Sequence, residues 1–148
     1  MNGSNFLIDT NVFIETLIRR DEECYRDCLM LLQAVKHNQV NAIMAGVELA
    51  ELVWVLGRTY KLKKAEIINA VKSVIQLRGL KLTDDYDYRE ALSLYGKYRV
   101  KYIDCLLASI PEVREKSWMV VSYDKDFDKL GVVRKEPAEV LKEVKIEK

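Results

Sequence analysis

Short, fully apolar runs alternate with longer helical patterns along this chain of 148 residues. The helical patterns cover about residues 12–37 with a break near 19–21, then 47–60, 63–77 and 84–98, with a further helix from about 102. Strands buried on both faces are predicted from the apolar runs at 6–8, 41–44, 80–82 and 118–121, with a short final strand near 132–133. This order predicts an α/β fold, a three-layer α/β/α sandwich with a mainly parallel sheet of four to five strands.

The pattern is continuous enough to predict one domain over residues 1–148. Its last part, about 136–148, is charged and is predicted to be a loose terminal helix. One helix is expected to be buried in the core and another to be amphipathic. The segment 47–60 is apolar around nearly its whole circumference, and the segment 63–77 is predicted to turn its apolar residues inward, namely Ile67, Ile68, Val71, Val74 and Ile75.

Composition changes this picture little. With 24 basic and 23 acidic residues, the net charge neither requires nor excludes a nucleic-acid partner. The sequence shows no secretory signal pattern and no apolar run long enough to cross a membrane, which predicts a soluble cytoplasmic protein. Three cysteines leave an odd thiol under any pairing, which fits a reducing compartment, and the single histidine, His37, disfavours a structural zinc site.

Two of the predicted strands are followed by aspartates. Asp9 comes directly after the run 6–8, and Asp124 follows the run 118–121 after a spacer of two residues. In open parallel sheets, ligands bind beyond the carboxyl ends of the strands where the strand order reverses, so both side chains enter one crevice if these strands are neighbours. Neighbouring carboxylates raise each other's pKa unless a cation is present, and a hard divalent ion is the simplest such cation.

Glu51 lies inside the apolar helical segment 47–60. Burial of an isolated charge there would be costly, so Glu51 must be paired, neutral or bound to a metal. Arg58 is the nearest basic residue within the helix, and a residue distant in sequence can pair with Glu51 instead. Glu48, three residues earlier on nearly the same face, is the alternative candidate for a metal ligand.

Asp104 is placed in the first turn of the helix that begins near Tyr102. An aspartate in that position commonly serves only to favour the helix dipole. The apolar residues beside it, Ile103, Leu106 and Leu107, predict that its carboxylate lies at the edge of the core.

The segments LIDTNVFIE, AELVWVL, YIDCLLAS and VVSYDKDF, in this order, resemble the PIN-domain family and, within it, the VapC-type toxins of toxin–antitoxin pairs. The resemblance spans nearly the whole chain. It implies that an acidic quartet binds Mg(II) or Mn(II), formed by Asp9, Glu51, Asp104 and Asp124. It also implies that three polar residues hold the loops of this site in place, Thr10, Asn11 and Ser122.

The same resemblance implies cleavage of single-stranded or structured RNA, a homodimer and a small antitoxin protein as partner. Two features depart from the family pattern. Pro111 interrupts a helix that normally runs longer, and Asp126 and Asp128 offer carboxylates near Asp124. Asp126 therefore stays an alternative fourth ligand, although both additional aspartates are interpreted first as residues that solvate a surface turn.

RNA must also be held by positive charge. The basic residues just before Asp104 in the chain are candidates to contact phosphates, namely Lys97, Arg99 and Lys101. The helical spacing of nearby tyrosines favours a place in the core or at an interface over stacking on bases, for Tyr95, Tyr98 and Tyr102.

The sequence thus predicts a metal-dependent endoribonuclease, in which the ion would activate water, orient it and neutralise charge on the leaving oxygen. Two alternatives stay open. One is an RNA-binding or interaction module with the same fold and no turnover. The other is a different metal-dependent phosphohydrolase, which is disfavoured because the segment Asp9-Thr10-Asn11 lacks the second aspartate of aspartyl-phosphate enzymes.

Overall fold

The computed structural model describes residues 3–146 and has a five-stranded sheet at its centre. The strands are β1 (Asn5–Ile8), β2 (Asn41–Ala45), β3 (Leu80–Thr83), β4 (Trp118–Val121) and β5 (Arg134–Lys135). All neighbouring strands are parallel, and their order across the sheet is β3-β2-β1-β4-β5. After β1, the chain adds β2 and β3 on one side of it and then β4 and β5 on the other side. The strand order therefore reverses between β1 and β4.

Helices cover both faces of this sheet, which confirms the predicted three-layer α/β/α sandwich. They are α1 (Thr10–Ile18), α2 (Glu22–Lys36), α3 (Val47–Arg58), α4 (Lys64–Ile75), α5 (Tyr88–Lys97), α6 (Tyr102–Ser109), α7 (Pro111–Arg114), α8 (Asp126–Lys129) and α9 (Pro137–Glu143). The break between α1 and α2 lies where the sequence predicted it. Pro111 ends α6 and opens the short helix α7, because a proline is tolerated in the first turn of a helix.

Alternation along the buried strands produces one hydrophobic core on each face of the sheet. Phe6 and Ile8 enter the core shared with α1 to α4, whereas Leu7 enters the core shared with α5 to α7. In β4, Val121 enters the first of these cores and Val120 enters the second. All five of these side chains are fully buried, so the two strands that precede the predicted aspartates are held from both sides.

The helices α3 and α4 are less buried than the sequence predicted. Val53 and Trp54 on α3, and Ile68 and Ile75 on α4, are 45 to 60% exposed. The expectation that α3 is buried around its circumference and that Ile68 and Ile75 point inward is therefore wrong. These two helices pack against each other. Each helix therefore buries only the face that contacts its partner and leaves other apolar residues exposed.

Two predictions near the C-terminus also need correction. The last strand is Arg134–Lys135 and not 132–133, because the register pairs Val120 with Arg134. The terminal segment is not loose: α9 packs against α2 and buries Val140 and Leu141. The last two residues of the predicted tail lie outside the described residues.

None of the helices within residues 3–146 has the length and apolar character needed to cross a bilayer.

Candidate metal centre

The pairing of β1 with β4 brings the first two predicted site segments together. Ile8 is in register with Val121, and the backbone N–H of Asp9 donates to the Val121 carbonyl at 2.9 Å. Asp9 is buried, and its side chain caps α1 by accepting from the Thr10 N–H at 2.8 Å. Its other oxygen, Oδ2, accepts a 2.6 Å hydrogen bond from the hydroxyl of Ser122.

Ser122 joins the loops that follow β1 and β4. While its hydroxyl donates to Asp9, the Oγ atom accepts from Asn11 Nδ2 at 3.0 Å and from the Asp124 N–H at 2.9 Å. A hydroxyl has one proton and two lone pairs, so these three contacts use all of its capacity. Ser122 therefore fixes Asp9, Asn11 and Asp124 relative to one another.

Three carboxylates within residues 3–146 lie close enough together to share a metal ion. Oxygens of Asp104, Asp124 and Asp126 all lie within 4.8 Å of one another. Asp124 brings Asp126 into this group because its Oδ1 accepts from the Asp126 N–H at 2.9 Å. Asp104 is only 1% exposed, and its Oδ2 has no hydrogen-bond partner within residues 3–146.

The environment of Asp104 opposes a negative charge. Burial is the main cause that raises the pKa of Asp104 to about 7; the nearby Lys101 lowers it, and the charges of Asp9, Asp124 and Glu51 raise it further. An unpartnered buried carboxylate oxygen next to two further carboxylates is an arrangement that a hard divalent cation would stabilise, and oxygen-only ligands fit Mg(II) or Mn(II). The residues present therefore fit such an ion.

Asp126 has a different environment from the one expected. It is half-exposed and pairs with Lys129 at 3.1 Å, yet it also contributes an oxygen to the group with Asp104 and Asp124. The interpretation that Asp126 only solvates a surface turn is therefore incomplete. Asp128 does lie on the surface, where it pairs with Arg134 at 3.0 Å.

Glu51 lies at the mouth of the crevice. Its side chain is 16% exposed, and Oε2 is 3.4 Å from the Nζ atom of Lys101, a partner fifty residues further along the chain. The sequence allowed Glu51 to be paired, neutral or bound to a metal, and the structure shows it paired. Glu51 is close enough to Asp9 that its charge contributes to a raised pKa of Asp9, for which burial is the main cause and which the Ser122 hydrogen bond opposes.

Glu48 is the glutamate that is fully buried. Its Oε2 accepts from the Ala45 N–H at 3.0 Å, and its Oε1 accepts from the Thr10 hydroxyl at 3.2 Å. Burial and the neighbouring charge of Asp9 raise the pKa of Glu48 well above its ordinary value. A hydrogen bond between the side chains of Glu48 and Asp9 also raises the pKa of Glu48, and it lowers the pKa of Asp9.

The predicted RNA contacts lie at the end of α5 and in the segment that leads into α6. Of Lys97, Arg99 and Lys101, Lys101 is the residue with an ion pair to the acidic crevice, and all three are exposed. The tyrosines beside them do not enter the core: Tyr95 and Tyr102 are exposed and pack edge to face with ring centroids 5.6 Å apart.

On the other side of the centre, an open cleft of about 550 Å³ runs from Asn11 and Asp124 to Arg20.

Comparison with known proteins gives consistent results. The model of the PIN domain family matches residues 6–133. A VapC ribonuclease from Aquifex aeolicus (strain VF5) is 26% identical over 133 residues, which cover 90% of this chain and 97% of the relative.

Two solved structures share the fold. The crystal structure of PAE2754 from Pyrobaculum aerophilum superposes with a TM-score of 0.65 at 13% identity, covering 97% of each chain. A chain of VapBC2 from Rickettsia felis, solved bound to a DNA fragment from their promoter, superposes with a TM-score of 0.61 at 17% identity, covering 89% of this chain and 98% of the other. Since the family model spans most of the sequence, the chain belongs to the PIN domain family.

Proposed function

We propose that this protein is a Mg(II)- or Mn(II)-dependent endoribonuclease and acts as the toxin of a toxin–antitoxin pair. The observation that carries the proposal is the buried carboxylate of Asp104, which has an oxygen without a hydrogen-bond partner within residues 3–146 and forms a close group with Asp124 and Asp126. This group lies beyond the carboxyl ends of β1 and β4, where the strand order reverses and where open parallel sheets bind their ligands. The relationship to a VapC ribonuclease supports RNA as substrate.

The roles of the residues follow from their contacts. In this proposal Asp104 and Asp124 hold the ion, and the position of the Asp126 carboxylate within 4.8 Å of theirs supports Asp126 as a further ligand beside Asp124. Asp9 and Glu51 complete the negative charge of the crevice. A bound divalent ion supplies Lewis acidity toward water and toward the scissile phosphate.

The surrounding polar residues keep this arrangement rigid. The Thr10 N–H and the Ser122 hydroxyl hold the two oxygens of Asp9, and Asn11 holds Ser122. Within residues 3–146 the only histidine, His37, caps the far end of α2 and is exposed. Proton transfer at this centre therefore depends on water and carboxyl groups, and not on imidazole.

The substrate and partner surfaces are part of the proposal. Lys97 and Arg99 extend the positive charge of Lys101 away from the crevice and suit contacts with RNA phosphates.

The exposed apolar residues of α3, α4 and α5 offer surfaces for an antitoxin and for a homodimer. The crystallised VapBC2 assembly supports an antitoxin partner. The free thiols of Cys24, Cys28 and Cys105 suit a cytoplasmic location.

The test is a cleavage assay with two substrates, an RNA and a phosphomonoester. We expect the purified chain to cut a mixed-sequence RNA internally when Mn(II) or Mg(II) is added, to lose this activity with a chelator, and to leave a phosphomonoester unchanged. Titration with Mn(II) in a calorimeter should show binding without RNA. Metal and RNA binding with no cleavage would instead support a non-catalytic module, and hydrolysis of the phosphomonoester alone would support another phosphohydrolase.

A pair of isosteric variants separates the two glutamates. Glu51→Gln removes a charge at the mouth of the crevice, and we expect it to lower the RNA cleavage rate by about tenfold or more. Glu48→Gln replaces a fully buried acid, whose pKa is raised well above its ordinary value, with a neutral amide that can keep the Ala45 and Asp9 hydrogen bonds, so we expect less than about a threefold change. Initial rates at saturating Mn(II) check both values, and the opposite ranking would make Glu48 the functional acid.

A further inference from the structure

Tyrosines and basic residues alternate along the segment that leads into the candidate centre. Residues 95–102 read YGKYRVKY, with tyrosines at 95, 98 and 102 and basic residues at 97, 99 and 101. The sequence favoured the core or an interface for these tyrosines, but all three are between 37 and 52% exposed. Residues 95–102, which we call the tyrosine strip, therefore present aromatic rings and positive charges at the surface.

The tyrosine strip has a defined shape. An open groove of about 470 Å³ is lined by residues 95–100, so that tyrosine and basic side chains share one concave surface. Val100 packs into the hydrophobic core that includes Leu7 and anchors the segment between α5 and α6. The rings of Tyr95 and Tyr102 pack edge to face, and this contact restricts both side chains. The groove therefore has walls that the fold holds in place.

The tyrosine strip carries only positive charge. No aspartate or glutamate occurs from residue 91 to residue 103. Lys97 and Arg99 are exposed and form no ion pair within residues 3–146. Lys101, the N-cap residue of α6, lies at the end of the strip and reaches Glu51 at the mouth of the acidic crevice. The strip therefore leads from open surface to the candidate centre.

This alternation of rings and charges suits single-stranded RNA. Proteins bind single strands in positively charged grooves that follow the backbone, and aromatic side chains there stack on the bases. Lys97 and Arg99 are available for phosphates, and Tyr95 and Tyr98 offer rings to unstacked bases. A duplex keeps its bases stacked inside the helix, so it can contact the charges of the strip but not the rings.

A second copy of the chain suits the tyrosine strip less well. A twofold interface uses the same patch on both copies, so it would bring two strips of positive charge together. Like charges that face each other across an interface oppose association. RNA supplies the opposite charge together with planar bases, and it therefore matches both features of the strip.

We propose that the tyrosine strip binds the single-stranded RNA segment that leads to the scissile bond. Tyr95 and Tyr98 stack on bases, and Lys97 and Arg99 contact phosphates. The substrate class is then RNA that is unpaired beside the cleavage position, and a fully paired segment is a poor substrate. This inference rests on the proposed function, because it names the substrate class of the same centre.

The experiment measures the binding of RNA to the full chain in the presence of a chelator, so that cleavage does not interfere. The probes are a labelled oligouridine of about ten nucleotides and a G/C-rich RNA duplex of the same length, and fluorescence anisotropy gives both affinities. We expect the single strand to bind at least about tenfold more tightly than the duplex. Tyr95→Ala and Tyr98→Ala should each weaken binding of the single strand by about tenfold and change binding of the duplex by less than about twofold.

Two kinds of variant separate stacking from a structural role. Tyr95→Phe and Tyr98→Phe keep the ring, so they should bind the single strand within about twofold of the unchanged protein. Tyr88→Ala is the matched control, because Tyr88 is an exposed tyrosine at the opposite end of α5. Its loss should change the affinity for the single strand by less than about twofold.

The double variant Lys97→Ala/Arg99→Ala tests the phosphate contacts. The logarithm of the affinity falls linearly with the logarithm of the salt concentration, and each phosphate contact to a single strand contributes about 0.7 to the slope. Loss of two contacts should therefore reduce the slope by about 1.4. An unchanged slope would contradict the role of these two residues.

Three outcomes would overturn the inference on the tyrosines: equal affinity for single strand and duplex, unchanged affinity in both alanine variants, or equal losses in the alanine and phenylalanine variants. If the alanine variants instead convert a dimer to a monomer in light scattering and keep their RNA affinity, the strip is an interface between copies. Failure of the proposed function is a separate result. Ring-dependent binding of the single strand, without any cleavage in Mn(II), would support the strip and refute the nuclease.

Discussion

Asp104→Asn is expected to lower RNA hydrolysis by at least about a hundredfold while leaving the fold intact. The substitution keeps the shape of the side chain but removes the charge of a buried carboxylate in the candidate centre. Without an ion, the variant should melt at the same or a higher temperature, because an unpartnered buried carboxylate beside other carboxylates is no longer present. Initial cleavage rates and melting temperatures check the two parts.

The matched control for this variant is Asp128→Asn. Asp128 lies on the helix next to the centre, but it is exposed and pairs with Arg134. Its loss should change the cleavage rate by less than about twofold, since surface ion pairs contribute little. Equal losses in the two variants, or full activity in Asp104→Asn, would contradict the assignment of Asp104.

Asp9→Asn is a less selective test of the same proposal. Its Oδ2 accepts the only proton of the Ser122 hydroxyl, which already accepts from Asn11 and from the Asp124 N–H. An amide nitrogen at Oδ2 would present a third donor to that hydroxyl, and the loops after β1 and β4 would have to adjust. Loss of activity in this variant would therefore have two causes that the assay does not separate, the lost charge of Asp9 and the altered loops after β1 and β4.

The part of the centre that could be predicted from sequence is the part carried by strand ends. Apolar runs located β1 and β4, and a parallel sheet sends their carboxyl ends to one edge, so Asp9, Ser122 and Asp124 are neighbours once these two strands pair. The order of the motifs also identified the family, and the match over residues 6–133 confirms it.

The helical residues were harder to place, because periodicity defines a face but not the rotation of the helix about its axis. Glu48 and Glu51 share nearly one face, and the sequence favoured Glu51 as the more isolated charge. The structure buries Glu48 completely and leaves Glu51 at the mouth, where Lys101 reaches it from a helix fifty residues away. A pairing at that separation leaves no local signal in the sequence.

Exposure of α3 and α4 could not be predicted for a related reason. An apolar residue such as Trp54 or Ile68 has the same sequence signature whether it enters the core of its own chain or a surface that another chain covers. The acidic group with Asp126 likewise depends on a turn hydrogen bond from its N–H to Asp124, a contact that spacing alone does not specify.

The stability of the ion-free protein should fall as the pH rises from about 4 to about 7. The pKa of Asp104 is about 7 in the folded chain and 3.8 ordinarily, so between these values the folded chain keeps a proton that the unfolded chain has released. Folding is thus favoured by protonation, and this contribution is lost as the pH passes through the window. Asp9 and Glu48, whose pKa values are also raised, act in the same direction.

Mn(II) should reverse this trend, because the ion binds the deprotonated carboxylate and stabilises the folded state by mass action. We expect little increase in melting temperature with Mn(II) at pH 5 and a clear increase at pH 7.5. Exposed carboxylates with lowered pKa values, such as Asp21 and Asp87, contribute the opposite slope at lower pH. The difference in melting temperature between the unchanged protein and Asp104→Asn, measured across this pH range, isolates the contribution of Asp104. An identical pH dependence of the two proteins without metal would refute the raised pKa of Asp104.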